Sequence, residues 1–96
     1  MRVRYTRQAI DDLHAVADYI HERNPSAAVE VEKAIRFTIG LLADFPRLGR
    51  ERTDLAARSL GIPAYPFTVY YRIEGDEIWI VHIRDDRRSS PQESDL

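Results

Sequence analysis

FTVYYRIEGDEIWIVHIR, residues 67–84, sets two runs of β-branched and aromatic residues on either side of Gly75-Asp76, the pattern of a β-hairpin. Glycine at the first central position suits a type II′ turn, whose twist matches that of the flanking strands. A turn there makes Ile73 face Ile78, Tyr71 face Ile80 and Arg72 face Trp79. Strict alternation then gathers Phe67, Val69, Tyr71 and Ile73 on one face with Ile78, Ile80 and His82. Thr68, Tyr70 and Arg72 fall on the other with Trp79, Val81 and Ile83. Neither face reads as a water face, so the ribbon belongs at the centre of a sheet, with helices on one side. What fills the second side decides the function.

Working outward, residues 3–5 read as a short strand, and Thr6 can then cap a helix that runs to about Arg23, with Asp11 and Asp12 near the positive end of its dipole. Ile10, Leu13, Ala17 and Ile20, with Val16 beside them, form its apolar stripe. Asn24-Pro25 ends that helix and starts the next, since asparagine caps well and proline at the first helical position forfeits no hydrogen bond. The second stripe is Ala28, Val31, Ile35, Ile39 and Leu42, widened by Ala34, Leu41 and Phe45, until Pro46 stops it. So short a link makes the pair an antiparallel helical hairpin. FPRLGR, residues 45–50, is a turn, residues 55–62 read as a further strand, and Pro63 and Pro66 keep the approach to the hairpin extended. The expected fold is α+β, in the order β-α-α-β-β-β, with the N-terminal strand and helical hairpin packed on one face of a small, mainly antiparallel sheet. Residues 1–88 form the domain, and the polar SSPQESDL, residues 89–96, reads as a disordered tail.

A chain of 96 residues holds one domain, in which only about 60 to 65 % of the unfolded surface can be buried. It has no cysteine, which leans toward a reducing interior such as the cytoplasm, and no apolar run long enough for a membrane span. A net charge of −2 argues against loose binding to nucleic acid. The distribution is uneven: acids dominate the helical hairpin, whereas arginines gather at Arg2, Arg4 and Arg7, at Arg47, Arg50, Arg52 and Arg58, and at Arg84, Arg87 and Arg88. Arginine's planar fork suits carboxylate and phosphate, so these clusters read either as one anion-facing surface or as the codon bias of a chain whose one lysine is Lys33.

Little in the sequence supports small-molecule catalysis. His14, Asp18 and His21 share a helix face, yet nothing supplies a fourth ligand, so no metal and no cofactor is expected. His82 stands mid-strand across from Val69, where it either completes a hydrogen bond of the sheet or serves as an acid or base. His82 and Arg88 are the only candidates for catalysis, because phosphate-binding loops, nucleophile elbows and paired carboxylates are missing. Tyr70 and Trp79 read as core, as a groove for a partner segment, or as a stacking platform flanked by Arg72. Arg84, Arg87 and Arg88 can bind a partner's anions, although Asp85 and Asp86 interrupt them.

The order of elements, FPRLGR, Ala57-Arg58-Ser59-Leu60, the run YYRIEGDEI at 70–78, and His82-Ile83-Arg84 ahead of Asp86-Arg87-Arg88 together resemble the RelE/ParE superfamily of bacterial toxins. The resemblance extends to Pro91. It implies the toxin of a type II toxin–antitoxin pair, neutralised by a cognate antitoxin, ParD-like or another short DNA-binding protein, whose segment wraps the toxin's groove. RelE-like members are ribosome-dependent mRNA interferases that carry basic residues where this chain has Ser59, Gly61 and Thr68, and a tyrosine or histidine after a C-terminal arginine, where it has Ser89-Ser90-Pro91. The ParE branch lacks those residues, shares the FPRLGR loop and the His-x-Arg ending, and acts by binding DNA gyrase. The resemblance thus implies a ParE-like gyrase inhibitor that meets nucleic acid only through its complex. Arg72, Arg84, Arg87 and Arg88 are the expected target contacts, and Tyr70, Trp79, Arg50 and Arg58 the expected antitoxin contacts. An mRNA interferase with a rearranged site, or a degenerate module that only binds antitoxin, are the alternatives.

Overall fold

A computed structural model gives the structure of the protein and describes residues 1–87; Arg88 and the tail expected at 89–96 lie outside the described residues. Gly75 has a positive φ (62°) and Asp76 does not, as a type II′ turn requires. Strand β4 (Phe67–Glu74) therefore folds back as β5 (Glu77–Asp85), with Ile73 opposite Ile78, Arg72 opposite Trp79 and Tyr71 opposite Ile80, as expected.

Beyond that point the register slips. Val81 is an extra residue, a β-bulge, so Tyr70 faces His82 and Val69 faces Ile83. The alternation read from sequence placed His82 on the helix side across from Val69 and Ile83 on the far side; the bulge reverses both. Ile83 joins the main core at 3 % exposure, and His82 shares the far face with Tyr70.

Strand β1 (Arg2–Tyr5) leads into helix α1 (Arg7–Arg23) and helix α2 (Pro25–Leu41). Thr6 caps α1 by accepting from the Ala9 N–H at 3.1 Å. Asn24 closes α1 by donating its backbone N–H to Ile20 and opens α2 by accepting from Ala27, with Pro25 in the first turn. The α2 stripe is buried as expected. On α1 the stripe begins one residue early: Ala9 is buried and Ile10 is 41 % exposed. Phe45 is also outside, at 59 % exposure, because α2 ends at Leu41 and a turn swings the chain away.

The segment after α2 forms β2 (Arg50–Arg52), a single 3-10 turn (Thr53–Leu55) and β3 (Ala57–Gly61), so one expected strand is a turn plus a shorter strand, and β2 is an addition. Its sequence, Arg50-Glu51-Arg52, has no apolar alternation, and it lies at the edge of the sheet, where charge discourages pairing with other chains. The five strands run β1-β5-β4-β3-β2, with β1 parallel to β5 and the remaining pairs antiparallel. Both helices pack on one face, where Leu13, Val31, Ile35, Ile39 and Leu42 meet Val69, Tyr71, Ile78, Ile80 and Ile83. The fold is α+β, as the pattern of elements requires.

Candidate functional site: the face of the sheet away from the helices

Cross-strand pairing arranges the far face in rows. Arg4, Trp79 and Arg72 lie side by side on β1, β5 and β4; Arg50, Ser59, Tyr70 and His82 form a second row; Gly61, Thr68 and Arg84 a third. Residues from all three arginine-rich parts of the sequence thus meet on one surface, because strands remote in the chain are adjacent in the sheet.

The chain itself covers part of this face. Ala56 adopts the left-handed conformation (φ 52°), which costs a residue with a Cβ about 1–2 kcal/mol, and it turns the chain so that Leu55 closes over Tyr70 and Val81. Tyr70 is consequently only 5 % exposed, so the open groove expected beside it is filled by Leu55 and Ala57. Burial raises the Tyr70 phenol above its ordinary pKa, opposed by Arg52 and Arg84 and reinforced by Asp86. Trp79 is half-buried at the margin of this cluster, with the Arg4 guanidinium 5.0 Å from its ring centre.

Several of the expected contact residues have partners within the fold. Arg72 donates from Nε to the Ala56 carbonyl at 3.0 Å, which steadies the turn that carries Leu55. Arg58 stands opposite Tyr71 and donates to the Gly49 carbonyl at 2.9 Å; it braces the FPRLGR loop instead of facing outward with the other arginines. Arg87 donates three hydrogen bonds to Asp85, two from its guanidinium at 2.9 and 2.6 Å and one from its backbone N–H at 3.0 Å. Arg50 is exposed on the edge strand. Arg88 lies outside the described residues.

The loop is held from below by Tyr71, whose hydroxyl donates to the Pro46 carbonyl and accepts from the Gly49 N–H, both at 2.8 Å. Nothing in periodicity marks this, since Tyr71 reads simply as an apolar strand residue.

A second arrangement that pattern reading missed lies at the edge of β5. β1 stops pairing with it at Ile80, where α1 begins, and the Thr6 N–H closes that end by donating to the Ile80 carbonyl. Two turns into α1, Asp12 accepts from the Ile83 N–H at 3.0 Å and also contacts Nδ1 of His82. A strand-edge N–H without a strand partner is therefore satisfied by a helix carboxylate. Burial alone would raise the Asp12 pKa, but hydrogen bonds from His82, the Ile83 N–H and Gln8 outweigh it and hold the carboxyl below its ordinary value. On the other side of the ring, Arg84 Nη1 approaches Nε2 of His82 at 3.3 Å. Beside these groups a crevice of about 180 Å³ opens between α1 and the end of β5, walled by Val16, Tyr19, Phe67 and Ile83 and rimmed by Arg84 and Asp85.

His14, Asp18 and His21 do not assemble a metal site, and no grouping of potential metal ligands occurs among the described residues. None of the described helices is long and apolar enough to cross a membrane.

Comparison with known proteins agrees with this architecture. Residues 3–89 match the family described as ParE toxin of type II toxin-antitoxin system, parDE. Toxin ParE3 of Caulobacter vibrioides is 33 % identical over 87 residues, covering 90 % of this chain and 87 % of that one. Toxin RelE2 of the same organism is 30 % identical over 87 residues, covering 91 % and 97 %. Among solved structures, the chromosomal ParDE TA system from P. aeruginosa contains a chain that superposes with a TM-score of 0.78 at 27 % identity, covering 88 % of this chain and 95 % of that one. With the family match spanning nearly every element of the fold, the chain belongs to the ParE toxin family of type II toxin–antitoxin systems, within the RelE/ParE superfamily.

Proposed function

We propose that this toxin acts by binding DNA gyrase, without cutting RNA, and that a cognate antitoxin of the ParD type neutralises it by occupying the arginine-bearing face of the sheet. The observation that carries the reading is the chemistry of that face. Ser59, Gly61 and Thr68, the positions where the ribonuclease branch carries charge, are neutral neighbours on β3 and β4, and Thr68 donates to the carboxylate of Asp86 at 2.6 Å. Cleavage of a phosphodiester needs a base, an acid and positive charge on the developing dianion. His82 is a poor base for the purpose, since both ring nitrogens are engaged and the residue is 8 % exposed. What remains is a surface of arginines around half-buried Trp79, suited to recognising carboxylates or phosphates through charge-assisted, bidentate hydrogen bonds. Its antitoxin should bring acidic residues for steering and apolar anchors for affinity.

A supercoiling assay on purified gyrase, run beside a toeprint on translating ribosomes, tests the reading. Loss of supercoiling at stoichiometric toxin, with intact mRNA, is the expected result. The similarity to the relative named RelE2 makes codon-dependent mRNA cleavage the second outcome, and cleavage with supercoiling untouched overturns the proposal. Co-expression with the adjacent short reading frame should give one peak on gel filtration and a raised melting temperature, by mass action. Two separate peaks at micromolar concentration would remove the antitoxin assignment.

A further inference from the structure

A guanidinium only donates hydrogen bonds, so Nη1 of Arg84, 3.3 Å from Nε2 of His82, requires a lone pair on that nitrogen. The ring proton then sits on Nδ1, where it is donated to Oδ2 of Asp12. Asp12 is itself fixed: the Ile83 N–H donates to the same oxygen at 3.0 Å and Gln8 donates to Oδ1 at 2.7 Å. The carboxylate–imidazole pair in the middle of this chain of hydrogen bonds is shielded, with the side chains of His82 and Asp12 only 10 % and 13 % exposed.

We propose that Asp12 and His82 are positioning residues for Arg84. The carboxylate selects the Nδ1–H tautomer, and the lone pair so placed on Nε2 holds the guanidinium at the rim of the α1–β5 crevice, aimed at an anionic group of the partner. This inference rests on Arg84 being a partner contact under the proposed function. Arginine has a rotamer-rich side chain, and a guanidinium oriented before the encounter loses less conformational entropy on binding. Asp12 would satisfy the Ile83 N–H without any imidazole in between; the ring adds a connection that reaches Arg84. Among the described residues, Gln8 and Asp12 on α1, Tyr70 on β4, and Arg84 on β5 are polar groups near it.

Nitrogen-15 NMR of the His82 ring in the full-length toxin alone, without any partner, reads the first half of the proposal. The Nδ1–H tautomer is expected at neutral pH, and an Nε2–H tautomer overturns it. Asp12→Asn, which keeps an acceptor oxygen, should retain that tautomer, whereas Asp12→Ala should populate the other; identical spectra in the wild type and both variants also overturn it. His82→Phe keeps the ring's volume and removes both nitrogens. It should lower the order of the Arg84 side chain and cost roughly tenfold in inhibition of the target, matching Arg84→Ala, with the double variant no weaker than Arg84→Ala. A folded His82→Phe toxin with unchanged Arg84 order and full potency overturns the positioning role. If that variant fails to fold, the wild-type tautomer and the Asp12 pair decide. Should gyrase prove not to be the target, the potency arm is silent for the wild type as well, while the NMR arm still judges the relay.

Discussion

The ring of Tyr71 stands where a side chain on Gly49 would have to go: a Cβ there falls 2.6 Å from Cε1 and 2.7 Å from the hydroxyl oxygen, and 2.9 Å from the Ser59 carbonyl. No flexible tip can yield, because the tyrosine is fully buried and its hydroxyl bridges Gly49 and Pro46. Gly49→Ala should therefore destabilise the fold by about 1–3 kcal/mol through overpacking. Tyr71→Phe should cost a similar amount, about 1–3 kcal/mol, by leaving the Gly49 N–H and Pro46 carbonyl without their partner. Urea melts of the two variants check this, and a wild-type midpoint for Gly49→Ala would show that the loop shifts freely.

Tyr5, Tyr70 and Tyr71 all have phenols raised by burial above the ordinary value of 10.0, Tyr5 against the opposing field of Arg36 and Tyr71 against the Gly49 hydrogen bond and Arg58. For a group raised in the folded state, the stabilisation is complete below the unfolded pKa and is lost as pH rises through the folded one. Stability should hold up to about pH 10 and fall beyond it. Denaturation midpoints measured from pH 8 to 11 test this, with Tyr71→Phe expected to flatten the decline.

Asp12 shifts the other way. Its carboxyl is held below 3.8 by His82, the Ile83 N–H and Gln8 in spite of burial, so its contribution is complete above the unfolded pKa and is lost as pH falls through the folded value. The stability difference between wild type and Asp12→Asn should be largest above about pH 4 and shrink at lower pH. A difference that is constant from pH 2 to 7 would mean that the carboxylate's charge is unimportant to the α1–β5 contact.

Leu55 is 2 % exposed over the small second cluster of Ala57, Tyr70 and Val81. Leu55→Ala should cost about 2–3 kcal/mol, near the low end for such changes because an edge cluster can partly collapse. The fluorescence of Trp79, which packs against the cluster, should shift to the red as water enters. Unchanged emission would place the tryptophan outside the cluster's influence.

Replacing Arg84 and Arg87 together by alanine should leave the domain folded at a cost of about 1–3 kcal/mol, since the Arg87 side chain is 58 % exposed but its partner Asp85 only 16 % and loses hydrogen bonds. Potency against the target should fall by at least roughly tenfold, because interface arginines dominate recognition of anionic surfaces. Full potency in a folded double variant would move the contact surface elsewhere.

Much of this was legible in the linear sequence because it depends on local rules. The II′ turn follows from one glycine, the two caps from Thr6 and Asn24, the short link from Pro25, and the α2 stripe from its period; each is settled within a few residues along the chain. The arginines, too, could be counted and grouped before any strand was paired. Local rules have nothing to say about a bulge, since an extra residue such as Val81 carries no composition of its own. The whole assignment of His82 and Ile83 to faces turned on it.

Only the tertiary structure decided which residues meet. Asp12 and His82 are 70 positions apart, and they come together because β1 ends at Tyr5 and α1 crosses the edge of β5 that β1 leaves uncovered. Arg58 reads like its neighbours Arg50 and Arg52, yet its place opposite Tyr71 makes it a brace for the Gly49 loop. Tyr70 reads as core, groove lining or stacking platform until the left-handed turn at Ala56 drops Leu55 upon it and makes it core. Periodicity assigns a residue to a face of its own element, whereas strand order, register and the path of the connecting turns determine what stands across from that face.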